Sequence, residues 1–442
     1  MSSGEAPYDA LIIGGGPAGS TSAYALARRG FRVLLAERAA HPRFHIGESF
    51  LPRHFALLGE LGLQERVEAL PHVPKYGAEF GMGDGSEMTS IVFDQGLAPG
   101  EVRTVNIERA PFDAMLFAAA REAGAELLEG VAVRGIPRLA HGDVALTLDD
   151  GREVRGRFLL DASGQATIVG KHLGIRRVLP RLKKAAYFGH FTGVHRKPGR
   201  VGGYITIVMC DEGWFWIIPL DEQKTSIGLV IEAEVARRTG IPPHQLLAWA
   251  IRRCPVLAER TADAVFPATN AVAADFSYRC EPYAGPGYFL VGDAATFVDP
   301  IFSTGVCLGM MSAAEAARGV EAMLRGGADP ARIARRYARF VRDSSEPFFG
   351  MVHHFYEPAF RDLFLDAQGP LAIHRAVISV LAGHVFPRPT FALRWRLRLF
   401  DFFVAWHRRM AITTRRPGFS LLAGWDPARA EAEAIDAAPA TA

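Results

Sequence analysis

Apolar and polar positions alternate along this chain with two different periods, and the change from one to the other marks out its elements. Tyr8 to Ile13 is a short apolar run, followed by a glycine cluster, a helix-like stretch from Ser22 to Gly30 and a second apolar run from Phe31 to Ala36. Strand, tight turn, helix, strand is the βαβ unit. A further helix is predicted from about Phe112 to Ala123, and strand-like pieces from Glu126 to Leu160 end at Asp161-Ala-Ser-Gly164. From Tyr187 to Ile231 the pattern is β-rich, with runs such as WFWIIPL and KTSIGLVI, and it predicts a sheet with a core on one side. Tyr288 to Val291 reads as a strand feeding Gly292-Asp293, Gly305 to Leu324 as a helix, and the chain beyond Asp329 as mostly helical. The class is α/β.

The 442 residues are 49% apolar and 22% charged, enough hydrophobic material for a sizeable core, and only the final AEAEAIDAAPATA is expected to fray. Fifty basic against 47 acidic residues give a net charge of +3, which excludes a phosphate-tracking nucleic-acid binder. One segment stands apart: Arg394 to Arg416 is basic and threaded with aromatics. It reads either as an amphipathic helix packed on the body or as a docking surface for an acidic partner. Cys210, Cys254, Cys280 and Cys307 are scattered without CxxC pairing, so neither a metal site nor a disulfide framework is indicated, and a reducing cytoplasm fits. The N-terminus has no basic region leading into an apolar stretch, and no window reaches the length of a membrane span, so a soluble, unexported protein is expected.

Gly14-Gly-Gly16-Pro-Ala18-Gly19 satisfies G-x-G-x-x-G directly after the first strand and before a helix, where the fingerprint carries meaning. Gly14 permits the tight turn, Gly16 lets backbone approach a pyrophosphate, and Gly19 allows close helix packing. The helix N-terminus supplies N–H groups and partial positive charge. Glu37, at the end of the second strand, can accept hydrogen bonds from ribose hydroxyls. The lobe is therefore Rossmann-like and binds a dinucleotide. Asp293, after a late strand and before a helix, is placed for a ribityl chain, which selects FAD.

Together with Asp161, Gly164 and Arg109, these features resemble the FAD-dependent aromatic monooxygenases and their relatives over roughly Tyr8 to Met311. That resemblance adds Ala18, Arg38, Arg43, Glu48 and Ser49 to the FAD-binding residues, and implies an FAD lobe of residues 1–180 and 270–328. A β-rich substrate lobe, 181–269, is interwoven with it, and 329–442 forms a helical C-terminal cap. Three further pieces are similar to the flavin-dependent halogenases. Trp214-Phe-Trp216-Ile-Ile-Pro219 matches the W-x-W-x-I-P signature, which in the family walls off the flavin; aromatics in a strand are otherwise ordinary core. Lys75, downstream of Gly47-Glu48-Ser49, resembles the family's active-site lysine, though alone it would read as a surface residue. Ser303-Thr304-Gly305 resembles the halide loop, whose backbone N–H groups hold chloride or bromide; it also reads as a helix N-cap.

Phe302 stands where tryptophan halogenases carry a glutamate, which resembles the branch acting on phenols and pyrroles and sets free tryptophan aside as the substrate. The resemblance implies an enzyme of secondary metabolism. FAD, reduced by a separate flavin reductase, would yield hypohalous acid from O2 and halide, and Lys75 would deliver it to an electron-rich ring, free or tethered to an acyl or peptidyl carrier protein. The rivals are an FAD-dependent aromatic hydroxylase with its own hydride donor, and a catalytically silent flavin-bound relative.

Overall fold

The computed structural model describes residues 6–97, 100, 102–366 and 372–429; the tail 430–442, expected to fray, lies outside the described residues. The apolar runs at the start of the chain pair as parallel strands. Tyr8–Ile13 lies between Val33–Glu37 and Glu153–Asp161, with Glu126–Glu129 on one side and Tyr288–Leu290 on the other. Burial on both faces explains why these strands are nearly continuous apolar runs. The helix Pro17–Ala27 packs against Arg109–Glu122 and Gly305–Gly326, so the glycine turn, the start of the 109–122 helix and the start of the 305–326 helix belong to one packed layer.

The second sheet has eight strands: Thr296–Phe297, Ala271–Cys280, Arg176–Thr192, Lys224–Glu232, Gly213–Pro219, Ile205–Cys210, Gly77–Met82 and Met88–Val92, in that spatial order. Its strands come from both sides of the 181–269 segment, which is how the two lobes interweave. The expectation of a core on one side only is corrected. Trp214, Trp216 and Ile218 face the large core shared with the first lobe. Phe215 and Ile217 point the opposite way, into a second core with Leu246, Leu247, Trp249 and Leu257. The helices Leu246–Arg253 and Pro255–Arg260 cover that face, and every residue of Gly213–Pro219 is buried.

A small two-stranded ribbon, His72–Lys75 against Thr104–Ile107, lies apart from both sheets and places Lys75 opposite Thr104. The C-terminal part is helical as expected, with Pro330–Phe355, Pro358–Leu365, Ile373–Leu381 and Phe391–Arg409. The last of these carries most of the basic segment and is packed on the body, the first of its two readings. Leu393, Phe400, Val404 and His407 are buried against the body, with His407 Nε2 3.1 Å from the Asp362 carboxylate, while Phe402 and Trp406 remain exposed on the outer face. Arg408, Arg409 and Arg415 are exposed, but Arg416 is only 12% exposed and is committed to structure. Its guanidinium donates to the Asp362 carbonyl at 2.7 Å and lies 3.5 Å from Glu87, so it drops out of any docking surface. No described helix is long and apolar enough to cross a membrane.

Candidate active site

The glycine turn is closed toward the protein and open on one side. Gly14 has φ +97°, and a Cβ there would stand 2.4 Å from the Ala162 carbonyl oxygen; one on Gly19 would stand 1.8 Å from the Gly14 carbonyl. Both positions require glycine. A Cβ on Gly16 would meet only the Arg43 guanidinium, at 3.4 Å. Arg43 reaches toward Glu37 (3.7 Å) and Asp113 (3.9 Å), and its buried Nε has no hydrogen-bond partner among the described residues. Glu37 accepts from Gly15 N at 2.6 Å and Ala39 N at 2.9 Å, which fixes its carboxylate beside the turn. An open backbone face, an orphaned guanidinium nitrogen and an oriented carboxylate fit a pyrophosphate and ribose, as FAD requires.

Ala18 packs toward Gly292, where a Cβ would stand 3.1 Å from the alanine methyl. Arg38 is exposed beyond the strand end. Asp161 is fully buried, with its two oxygens accepting from Ser163 N at 3.0 Å and Val169 N at 2.7 Å. These bonds hold the turn after the strand, with Gly164 at φ +61° just beyond. Arg109 likewise acts as a brace. It grips Asp113 through two bonds of 2.8 and 2.9 Å and donates to the Ile46 carbonyl at 2.6 Å, which fixes the segment leading into Gly47-Glu48-Ser49. Burial pushes the Asp293 carboxyl up to about 6, against the pull of Arg109.

Glu48 is buried, and its carboxylate lies 2.8 Å from His190 Nε2. Next to it, Ser49 Oγ accepts from the Lys75 ammonium at 2.9 Å, and the Phe50 carbonyl accepts at 3.0 Å. Lys75 is only 1% exposed, with its Nζ 5.3 Å over the Phe93 ring. Desolvation lowers its pKa from 10.5 to about 7, so amine and ammonium coexist near neutrality. The hydroxyl of Thr104 and the side-chain carbonyl of Asn106, both on the paired strand, are buried without partners.

The two motif tryptophans are tied differently. Trp216 donates to Ser226 Oγ at 3.1 Å and lies across Gly228. Trp214 donates at 3.1 Å to the Tyr356 hydroxyl, which donates at 2.5 Å to Asp299. Asp299 opens the loop running through Phe302, and its carboxyl is raised by burial against the opposing hydrogen bond from Tyr356. The loop then turns through Ser303 at φ +57° into the helix Gly305–Gly326. Thr304 occupies the N-cap position, yet its buried hydroxyl caps nothing and has no partner among the described residues. The first N–H groups of a helix lack intrahelical acceptors, so this end suits an anion. A Cβ on Gly305 would lie 3.9 Å from Asp293, and one on Gly47 3.8 Å from Val306, so the halide-loop candidate borders both Asp293 and the Gly47-Glu48-Ser49 segment.

Contacts thus run from Arg43 through Asp113 and Arg109 to the Ile46 carbonyl at the head of Gly47-Glu48-Ser49, Ser49 meets Lys75, and Tyr356 joins Trp214 to Asp299 in the loop before Thr304. Sequence reasoning missed Tyr356, Asp299 and His190. Only Asp299 had a local signal, an acid directly before a proline, which the structure uses to cap Ile301 N at 3.2 Å.

The family model of the FAD binding domain matches residues 7–340. The chain is 32% identical to the tryptophan 2-halogenase of Chondromyces crocatus, over 78% of this chain and 67% of that protein. It is 33% identical to the pyrrole-2-carbonyl peptidyl-carrier-protein brominase of Pseudoalteromonas luteoviolacea, over 72% of this chain and 78% of that protein. The structure of the flavin-dependent brominase Bmp2 superposes with a TM-score of 0.80 at 27% identity, covering 91% of this chain and all of that one.

Proposed function

Since this chain belongs to the flavin-dependent halogenases, FAD enzymes that halogenate aromatic rings, we propose that it chlorinates or brominates an electron-rich phenol or pyrrole presented on a carrier protein. The observation that carries the site assignment is Lys75: an amine buried at 1% exposure, held by Ser49 Oγ and the Phe50 carbonyl, with its pKa near 7. The oxidising power that converts halide and O2 to hypohalous acid is the cofactor's when it is bound and has been reduced by a separate flavin reductase.

The protein's own residues bind, separate and aim. Gly14, Gly16, Ala18, Gly19, Glu37, Arg38 and Arg43 hold the dinucleotide, with the turn shaped by Asp161 and Gly164, while Arg109, Glu48, Ser49 and Asp293 frame the redox-active end. Ser303, Thr304 and Gly305 hold chloride or bromide at the start of their helix. Trp214 and Trp216 form a wall that keeps the ring away from the flavin and prevents hydroxylation. Lys75 as ammonium donates a hydrogen bond to hypohalous acid; as amine it forms an N–halogen bond while the oxygen–halogen bond breaks and the hydroxide leaves as water with the amine's proton. On this reading, 1–180 with 270–328 serve the cofactor, 181–269 contribute the wall, and 329–442 cap the assembly.

Phe302, buried at the head of the halide loop, supports a phenolic or pyrrolic ring over free tryptophan. A carrier-borne substrate is supported by the exposed Arg409 and Arg415, by Arg408, which is half exposed and 3.3 Å from Glu357, and by the exposed Phe402 and Trp406. Four free, buried cysteines support a reducing, cytoplasmic setting. The test is mass spectrometry of products formed with a flavin reductase, O2, bromide and a panel of free and carrier-bound phenols and pyrroles. Halide-dependent mass shifts on tethered rings are the expected result. Rapid NADPH oxidation by the pure protein with oxygen inserted into the ring would instead identify a hydroxylase, and carrier binding without turnover a silent relative.

A further inference from the structure

Outside the residues described so far, a cleft of about 410 Å³ opens beside the strand that carries Lys75. One wall is Val73 and Pro74 of His72–Lys75 and the adjoining Tyr76; the other is the loop bearing Arg196, Lys197 and Arg200. Pro74 is exposed at the cleft, and the next residue of the strand, Lys75, is buried.

The cleft's cationic side chains are engaged to different degrees. Lys197 is neutralised by Glu79 at 2.6 Å. Arg196 is half-buried and donates to the Lys224 carbonyl at 2.8 Å and to Thr225 Oγ1 at 3.0 Å, partners that carry no charge. Arg200 lies with its guanidinium 3.9 Å over the Tyr76 ring. Among the described residues, neither guanidinium forms an ion pair with a carboxylate. Two oriented arginines flanking one cavity, each with donors to spare, match the planar or tetrahedral oxygens of a carboxylate or phosphate, to which guanidinium groups bind in fork geometry.

We propose that this cleft is an oxyanion subsite that takes a phosphate or carboxylate of the aromatic substrate through Arg196 and Arg200. The anion is either the phosphodiester of a carrier protein's pantetheine arm or the carboxylate of a free aromatic acid. The substrate assignment rests on the halogenase reading; the anion site itself does not.

Two matched pairs separate these sources: a pyrrolyl pantetheine thioester with and without its 4′-phosphate, and a phenolic acid with its methyl ester. Binding is measured by calorimetry on the FAD-loaded protein without turnover, and KM is measured with turnover. The wild-type protein is expected to bind the charged member of one pair about tenfold more tightly. That preference should fall to near unity in Arg196→Gln/Arg200→Gln and be reduced in Arg200→Gln alone. The single variant matters because Arg200 is exposed, whereas Arg196 also braces the backbone at Lys224. A preference confined to the phosphate pair assigns the anion to the carrier arm; one confined to the acid and ester assigns it to a free substrate. No preference in either pair, or one that survives the double variant, overturns the proposal. Charged-ligand binding without halogenation of any compound would keep the cleft and reject the halogenase reading.

Discussion

The Lys75 ammonium donates to the Ser49 hydroxyl across 2.9 Å in a site from which water is excluded, and the pair joins the strand His72–Lys75 to the Gly47-Glu48-Ser49 segment. A neutral hydroxyl solvates an ammonium far less well than water or a carboxylate, so burial wins and the pKa falls to about 7.

Lys75→Met removes donor and nucleophile together in a side chain of similar length. Halogenation should fall by roughly 100-fold or more, while bound FAD and its reoxidation by O2 stay near wild type. Product mass spectrometry and stopped-flow absorbance check the two halves separately, and a variant that halogenates at the wild-type rate would remove Lys75 from the chemistry.

The lowered pKa also has a stability consequence. Between about 7 and its usual value of 10.5 the unfolded lysine holds a proton that the folded one has lost, so the burial penalty is fully present below that window and is relieved as pH rises through it. Urea midpoints of wild type relative to Lys75→Met should therefore climb across the window. The halogenation rate should show an inflection near pH 7. A falling limb assigns the hydrogen-bond donor and a rising limb the nucleophile; a flat profile contradicts both.

Gly16→Val separates cofactor loss from misfolding. A side chain at Gly16 meets only Arg43, at 3.4 Å, so the chain should fold and give a normal circular dichroism spectrum, yet purify colourless because the valine occupies the pyrophosphate position. Gly19→Ala places its methyl 1.8 Å from the Gly14 carbonyl and should fail at folding instead. A yellow, fully loaded Gly16→Val protein would mean that the dinucleotide lies elsewhere.

Tyr356→Phe deletes the hydroxyl that links Trp214 to Asp299 while keeping the ring. If that link positions the halide loop, KM for bromide should rise about tenfold, with kcat at saturating bromide largely retained. An equal loss of kcat and kcat/KM would point to a different role.

Arg408, Arg409 and Arg415 changed to glutamate should slow turnover of a carrier-tethered substrate, and raised salt should do the same to wild type, because steering between exposed charges is screened over about 8 Å at physiological ionic strength. Free substrates should show neither effect. Arg416→Ala belongs to another category: loss of its bond to the Asp362 carbonyl and its packing beside Glu87 should cost about 2 kcal/mol of stability. Equal turnover of tethered substrate by the charge-reversed protein would leave the 391–409 helix a purely structural element.

The amino-acid sequence by itself determined the elements whose signals are local. A glycine turn between strand and helix is written within Gly14 to Gly19, because only residues without a Cβ can pass Ala162 and Gly14 at those distances. The apolar runs and the W-x-W-x-I-P strand are equally local, since period and side-chain type are properties of a few consecutive residues. Tertiary structure alone decided what those elements enclose. Lys75 becomes an amine with a pKa near 7 because the chain folds Ser49, Phe50 and Phe93 over it. Trp214 meets Tyr356 across 142 positions, and His190 meets Glu48 across another 142. Covering both faces of the second sheet needed helices inserted between its strands, at 246–253 and 255–260, so one apolar strand could not reveal that it had two cores to serve. Desolvation and long-range pairing depend on which surfaces meet, and no short window of sequence contains that information.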